Sequence, residues 1–136
     1  MSESRYYTYR FEKLEVYQLS RQFRVEIHIL TKAFPTEEKY SLVSQLRRSA
    51  GSTTTNLAEG SGRARNQDKA HFTNISYSSA LESIDHLNTS LDLGYISEEV
   101  YTTLRLKLDL IINKLNALYK YQLNAKEDLK DKLKNK

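Results

Sequence analysis

Five basic residues in the middle of the chain have the types and spacing to do chemistry: the adjacent Arg47 and Arg48, then Arg63, Arg65 and Lys69. An arginine fork matches two phosphate oxygens at once and a lysine adds a point charge, so such a set suits contacts along a nucleic-acid backbone. On a helix rising about 1.5 Å per residue, Arg47 and Arg48 stand about 20 Å from the others, which makes a stripe rather than a point. The same side chains have structural uses: Arg48 can partner a carboxylate, and Arg63 and Arg65 can complement the negative end of a helix. Glu82 and His86 are the one acid–imidazole pair four residues apart. A di-metal bundle needs repeated Glu-x-x-His pairs on facing helices, and a zinc helix needs paired histidines; His28, His71 and His86 supply neither. Gly60-Ser61-Gly62-Arg63 lacks the spacing and the Lys-Ser/Thr ending of a phosphate-cradling loop, and no serine sits in a nucleophile elbow. The expectation is a protein with no catalytic residue, no metal and no cofactor, and hence no enzyme.

The elements that must position these residues belong to a chain of 136 residues, sized for one domain. A hydrophobic share of 39% builds a core, and a charged share of 28% keeps the surface wet. Cysteine is absent, which removes disulfides and thiolate chemistry. No apolar run reaches the roughly 18–20 residues that span a bilayer, and the opening Met-Ser-Glu-Ser-Arg has no apolar signal region, so a cytoplasmic, membrane-free protein is expected. The net charge is +4, but Lys120–Lys136 alone holds six lysines against Glu127, Asp128 and Asp131. The body is therefore nearly neutral, and any basic patch on it must be local.

One proline and four glycines punctuate four helices. From Phe11 to Phe34, Val16, Leu19, Phe23, Ile27, Leu30 and Phe34 step by three or four, and Pro35 ends that helix. Thr36 is read as the cap of a second helix, with Glu37 and Glu38 in its first turn and Leu42, Leu46, Ala50, Thr53 and Leu57 facing inward, failing at Gly60-Ser61-Gly62. Asn66 is read as the cap of a third that runs to Gly94, and Ser97-Glu98-Glu99 starts a fourth carrying Val100, Leu104, Leu108, Ile111, Leu115, Leu118 and Gln122. No segment alternates with period two, so no strand is assigned. Four helices of about 22–28 residues on short loops give an all-α, antiparallel up-down-up-down four-helix bundle at residues 11–123, with an N-terminal arm at 1–10 and a charged extension at 124–136.

The second and third helices are poor in bulky residues at Ser49-Ala50-Gly51-Ser52-Thr53-Thr54-Thr55 and at Ser76-Tyr77-Ser78-Ser79-Ala80, which permits close approach. A fold-back centred near residues 63 and 64 sets Arg48 level with Ser79 and Gln45 level with Glu82, so Glu82 should pair with Arg47 or Arg48. The same geometry puts Asn56 near His71, and Glu59 near Asp68, with Arg63, Arg65 or Lys69 needed between those two acids. Gln45, Asn56, Glu59, Ser79 and Glu82 form a candidate polar network that fixes helix register. Tyr6-Tyr7-Thr8-Tyr9-Arg10-Phe11 interleaves aromatics with a base; docking on its own bundle or on a neighbouring subunit is favoured over base stacking for this arm.

Gln45-Leu46-Arg47-Arg48-Ser49-Ala50 with Asn56-Leu57-Ala58-Glu59-Gly60 resembles the signature of bacterial four-helix-bundle proteins encoded by intervening sequences of 23S ribosomal RNA genes. Phe11-Glu12-Lys13-Leu14-Glu15-Val16, Phe34-Pro35, Ser79 with Glu82, and Leu93-Gly94-Tyr95-Ile96 extend the likeness over residues 11 to 120. Ser76 and Ser78 stand where that family more often has Ala and Gly. The resemblance implies an antiparallel bundle assembled as a homo-oligomer, often a ring-shaped pentamer, without enzymatic activity; similar bundles bind nucleic acid and a reverse transcriptase. The expected function is binding of structured nucleic acid, RNA or DNA, through the basic residues, with a protein-interaction adaptor as the rival.

Overall fold

The computed structural model describes residues 5–125, and within them every regular element is helical. A single turn, α1 (Arg10–Lys13), leads into α2 (Glu15–Thr31); a 3-10 turn at Thr36–Glu38 precedes α3 (Leu42–Ser61); α4 (Asn66–Asp92) and α5 (Glu98–Asn124) complete the bundle. Each long helix packs closely on two others, α2 on α3 and α5, α4 on α3 and α5, while α2 stands diagonal to α4 and α3 to α5, with their backbones farther apart. That is an antiparallel, up-down-up-down ring of four helices. The core is the apolar stripe each one brings to the axis: Val16, Phe23 and Ile27; Leu46, Ala50 and Leu57; Ala80 and Leu87; Leu104, Leu108, Ile111 and Leu115. These positions recur every three or four residues, so one face of each helix loses its water.

Three boundaries differ from the sequence expectation. The first helix does not run unbroken from Phe11: Leu14 is extended, with ψ 131°. Glu12 accepts the Tyr9 amide at 2.9 Å, and the Gln18 amide nitrogen donates to the Glu12 carbonyl at 3.2 Å, so side chains satisfy the backbone that a continuous helix would have used. Thr36 does not begin the second long helix either. Its 3-10 turn stops after Glu38, and α3 starts at Leu42, because Glu38 is held by two hydroxyls: Ser41 donates to it at 2.7 Å, and Tyr95, from the α4–α5 turn, at 2.7 Å. Lengths of 17, 20, 27 and 27 residues replace the uniform 22–28. Asn66 is the first residue inside α4 rather than its cap, a place taken by Arg65.

The other ends follow their local chemistry. Gly94 has φ +77°, and the amides of Gly94 and Tyr95 return to the carbonyls of Leu91 and Ser90, closing α4 in a Schellman turn that favours glycine. Ser97 caps α5 by accepting the Val100 amide at 3.1 Å. Of the aromatic stretch, Phe11 docks: α1 packs on α2 and α3, and the Phe11 ring meets Tyr17 edge-on at 4.9 Å, while Tyr6, Tyr7 and Tyr9 are exposed. The charged extension expected at 124–136 lies outside the described residues beyond Ala125.

Gly60 and Leu108 test this packing. A Cβ at Gly60 would sit 2.7 Å from the Phe72 Cβ and 3.3 Å from the Lys69 carbonyl. Gly60→Ala, although it adds helix propensity, is therefore expected to destabilise the fold by about 1–3 kcal/mol in urea unfolding. Leu108→Ala, at a fully buried position, should cost about 2–5 kcal/mol in the same assay.

Candidate nucleic-acid interface

The interface between α3 and α4 is hydroxylic. Ser76 donates to the Thr53 carbonyl at 2.9 Å, Ser79 to the Ser52 hydroxyl at 2.8 Å, and Ser49 and Ser83 share a hydrogen bond of 2.8 Å, all across the two helices. Asn56 joins the seam from its own helix by donating to the Ser52 hydroxyl at 2.9 Å. Ser76, noted above as a departure from the resemblance, is thus a working member of the seam. These pairs centre the fold-back near residue 65, slightly later than expected, and the shift brings Arg48 onto Glu82. The Arg48 guanidinium donates to Glu82, whose same oxygen meets the His86 Nε2 at 3.0 Å. Burial alone would push the Glu82 carboxyl up, but the bonds from His86 and Arg48 outweigh it and hold it below its ordinary value of 4.5.

Of the expected polar network, Asn56, Ser79 and Glu82 belong to this seam. Gln45 does not, being exposed with no side-chain hydrogen bond among the described residues. Glu59 lies at the far end of α3, where Arg63 donates to it at 3.1 Å. Asp68 is taken by Arg65 at 3.4 Å, so the two acids of that turn each have their own arginine. His71 is exposed and set against Phe72, away from Asn56.

Each of the five expected phosphate-binding residues is engaged internally. Arg47 donates to the Thr31 hydroxyl at 2.8 Å and to the His28 carbonyl at 3.2 Å, closing the end of α2. Arg63, besides Glu59, covers the Phe72 ring at 4.6 Å. Lys69 corrects the expectation outright: it is 3% exposed, and its ammonium donates to the Ser61 carbonyl at 3.0 Å, so it ties down the end of α3 and offers nothing to solvent.

Exposed basic residues outside that set lie on α2, where Arg24 reaches over α3 and Arg21 shares a shallow cleft with Gln18, Gln22, Val25 and Glu26. Arg21, Arg24, His28 and Lys32 recur at three- and four-residue steps, all exposed. Arg21, Arg24 and Lys32 have no ion-pair partner among the described residues. The Arg24 guanidinium lies over Gly51, where a Cβ would come within 3.1 Å of it. Lys32, Lys39 and Arg47 line one cleft of about 230 Å³ with Thr31, Phe34, Pro35, Thr36 and Val43, and no acid lines it. The acids of α2 are paired with α5: Glu15 with Lys114 at 2.6 Å and Glu26 with Lys107 at 2.7 Å. Among the described residues no group of three or more His, Asp and Glu could hold a metal ion, and no helix is long and apolar enough to cross a membrane.

Comparison with known proteins places this geometry. The family described as 23S rRNA-intervening sequence protein matches residues 12–117. The chain belongs to that family. A crystal structure of a protein of unknown function from the S23 ribosomal protein family of Bacteroides thetaiotaomicron VPI-5482 is 26% identical, with a TM-score of 0.72, covering 77% of this chain and 98% of that one. No curated protein matches. Neither the family nor the structural relative carries a stated enzymatic activity. Within the matched residues, Arg48, Asn56, Ser79 and Glu82 are packing and pairing residues of the α3–α4 seam.

Sequence reading missed the α2 flank because it weighed arginines by adjacency in the chain. The usable signal was the helical spacing of Arg21, Arg24, His28 and Lys32 beside the core stripe, with both α2 acids paired to α5.

The seam makes two measurements decisive. A double-mutant cycle of Arg48→Ala and Glu82→Gln should return a coupling of about 0.2–1 kcal/mol, as suits a pair open to solvent. Because Glu82 is depressed in the folded state, its contribution is present above the ordinary value of 4.5 and is lost as pH falls through the lower folded value. Chemical unfolding of Glu82→Gln between pH 6 and 3 should therefore show a shallower loss of stability toward acid than the parent.

Proposed function

We propose that this protein is a non-enzymatic, cytoplasmic, homo-oligomeric bundle that binds structured nucleic acid, RNA or DNA, along its α2–α3 flank. The observation that carries this reading is the run of uncompensated charge from Arg21 and Arg24 to the cleft of Lys32, Lys39 and Arg47. Eleven residues separate Arg21 from Lys32, about 16 Å of helix, enough to follow several phosphates. Gly51 leaves room for the Arg24 guanidinium to lie across α3, which carries the positive charge toward the middle of the flank.

Self-association is supported by a different face. Val25 and Ile29 on α2 and Leu106 and Leu110 on α5 are 45–63% exposed. Ile29, Leu30, Val100 and Leu104 also line an apolar groove of about 570 Å³ between those helices. Exposed apolar residues on neighbouring helices favour protein contact, and a second copy is the partner the homo-oligomer reading assigns to them.

Fluorescence anisotropy with a labelled RNA hairpin and a DNA duplex at about 50 and 200 mM salt tests the first part. Binding should weaken steeply with salt. Arg21→Glu/Arg24→Glu/Lys32→Glu should abolish most of it, whereas Arg63→Ala/Arg65→Ala should leave it nearly unchanged. No binding at the lower salt would transfer the reading to a protein adaptor. Sedimentation velocity tests the second part: Ile29→Glu/Leu106→Glu should convert an oligomer to monomer without loss of helicity.

A further inference from the structure

The flank between α4 and α5 carries the same residue types at its two ends in opposite states. At one end Tyr101 donates to the Asn88 side-chain oxygen, Arg105 donates to the Tyr101 hydroxyl at 2.6 Å, and Asp109 takes Arg105 at 3.5 Å. That end is closed on itself. At the other, Asn74 and Tyr77 of α4 and Asn116 and Tyr119 of α5 line a cleft of about 210 Å³, and none of these four side chains makes a hydrogen bond among the described residues. Both tyrosines are half-buried, so their rings are partly covered while polar atoms at the cleft stay open to what enters it.

We propose that this cleft is a binding site for a nucleobase. Its four side chains fix the chemistry. Two carboxamides each offer an acceptor oxygen and two N–H donors, which matches the mixed donor–acceptor edge of a base. Two phenol rings offer apolar, electron-rich faces to a flat heteroaromatic ring. No charged side chain lines the cleft, so the ligand group it selects is neutral. The volume admits one ring system and little more, which separates it from the extended phosphate surface on the other side of the bundle.

The site is independent of the phosphate reading, and uncharged nucleosides separate the two. Adenosine, guanosine, cytidine and uridine are titrated in turn into the full chain, with the amide resonances followed by NMR. At least one should give saturable shifts in the side-chain amides of Asn74 and Asn116 and the backbone of Tyr77 and Tyr119. Asn74→Leu/Asn116→Leu, both exposed positions, should remove those shifts with the thermal melt unchanged, and Arg21→Glu/Arg24→Glu should keep them. Absence of a saturable shift with all four nucleosides, or shifts that survive the double leucine variant, overturns the proposal. Nucleoside binding by a chain that ignores oligonucleotides upholds the cleft and overturns the phosphate reading; oligonucleotide binding without any nucleoside response does the reverse.

Discussion

The close approach of α3 and α4 is the constraint on which the rest of the bundle depends. Small side chains let the two backbones come near, and nearness buries the hydroxyls of Ser49, Ser76 and Ser83 completely. A buried hydroxyl left without a partner costs about 1–3 kcal/mol. Each of these finds its partner on the facing helix at one axial offset only. The apolar stripe makes the helices pack; the hydroxyl pairs decide where along one another they stop. Arg48, Glu82 and His86 then fall together as a consequence of that stop, and Gly60 meets Phe72 at a distance that allows no Cβ.

The division of charge on α2 follows from its two neighbours. Helix α5 supplies Lys107 and Lys114, and these draw Glu26 and Glu15 to their side. Helix α3 has a single acid, Glu59, and it is spent on Arg63 at the far end. Nothing on α3 therefore answers the bases of α2, and a nearly neutral body acquires one strongly basic edge. Net charge could not reveal this, because the quantity that matters is which helix each acid faces.

Much of the architecture was legible because the signals were local and agreed with one another. The α5 repeat, the Ser97 cap and the Gly94 turn each read directly from spacing and residue type, and folding the second helix onto the third led to the Arg48–Glu82 pair within a turn of the observed alignment. The sequence misled where a distant or competing group intervened. Tyr95 reaches Glu38 across 57 positions and holds short a helix that Thr36 was read to open. Glu12 turns back on Tyr9 and breaks a periodicity that otherwise runs on into α2. Lys69 looked like surface charge, but the carbonyl at the end of α3 needed a donor and the lysine was the nearest one.

The diagonal arrangement of the helices has a further consequence. Helices that alternate up and down in a ring put the α2–α3 edge and the α4–α5 edge on opposite sides of the rod, with α2 diagonal to α4 and α3 to α5. The core lies between the two edges, so whatever occupies one is out of reach of the other unless it bends around the whole cylinder. If both proposed sites bind, a single bundle carries two independent valences. With both filled it is a cross-linker, and copies of it joined through their α2–α5 faces would multiply those valences into a scaffold.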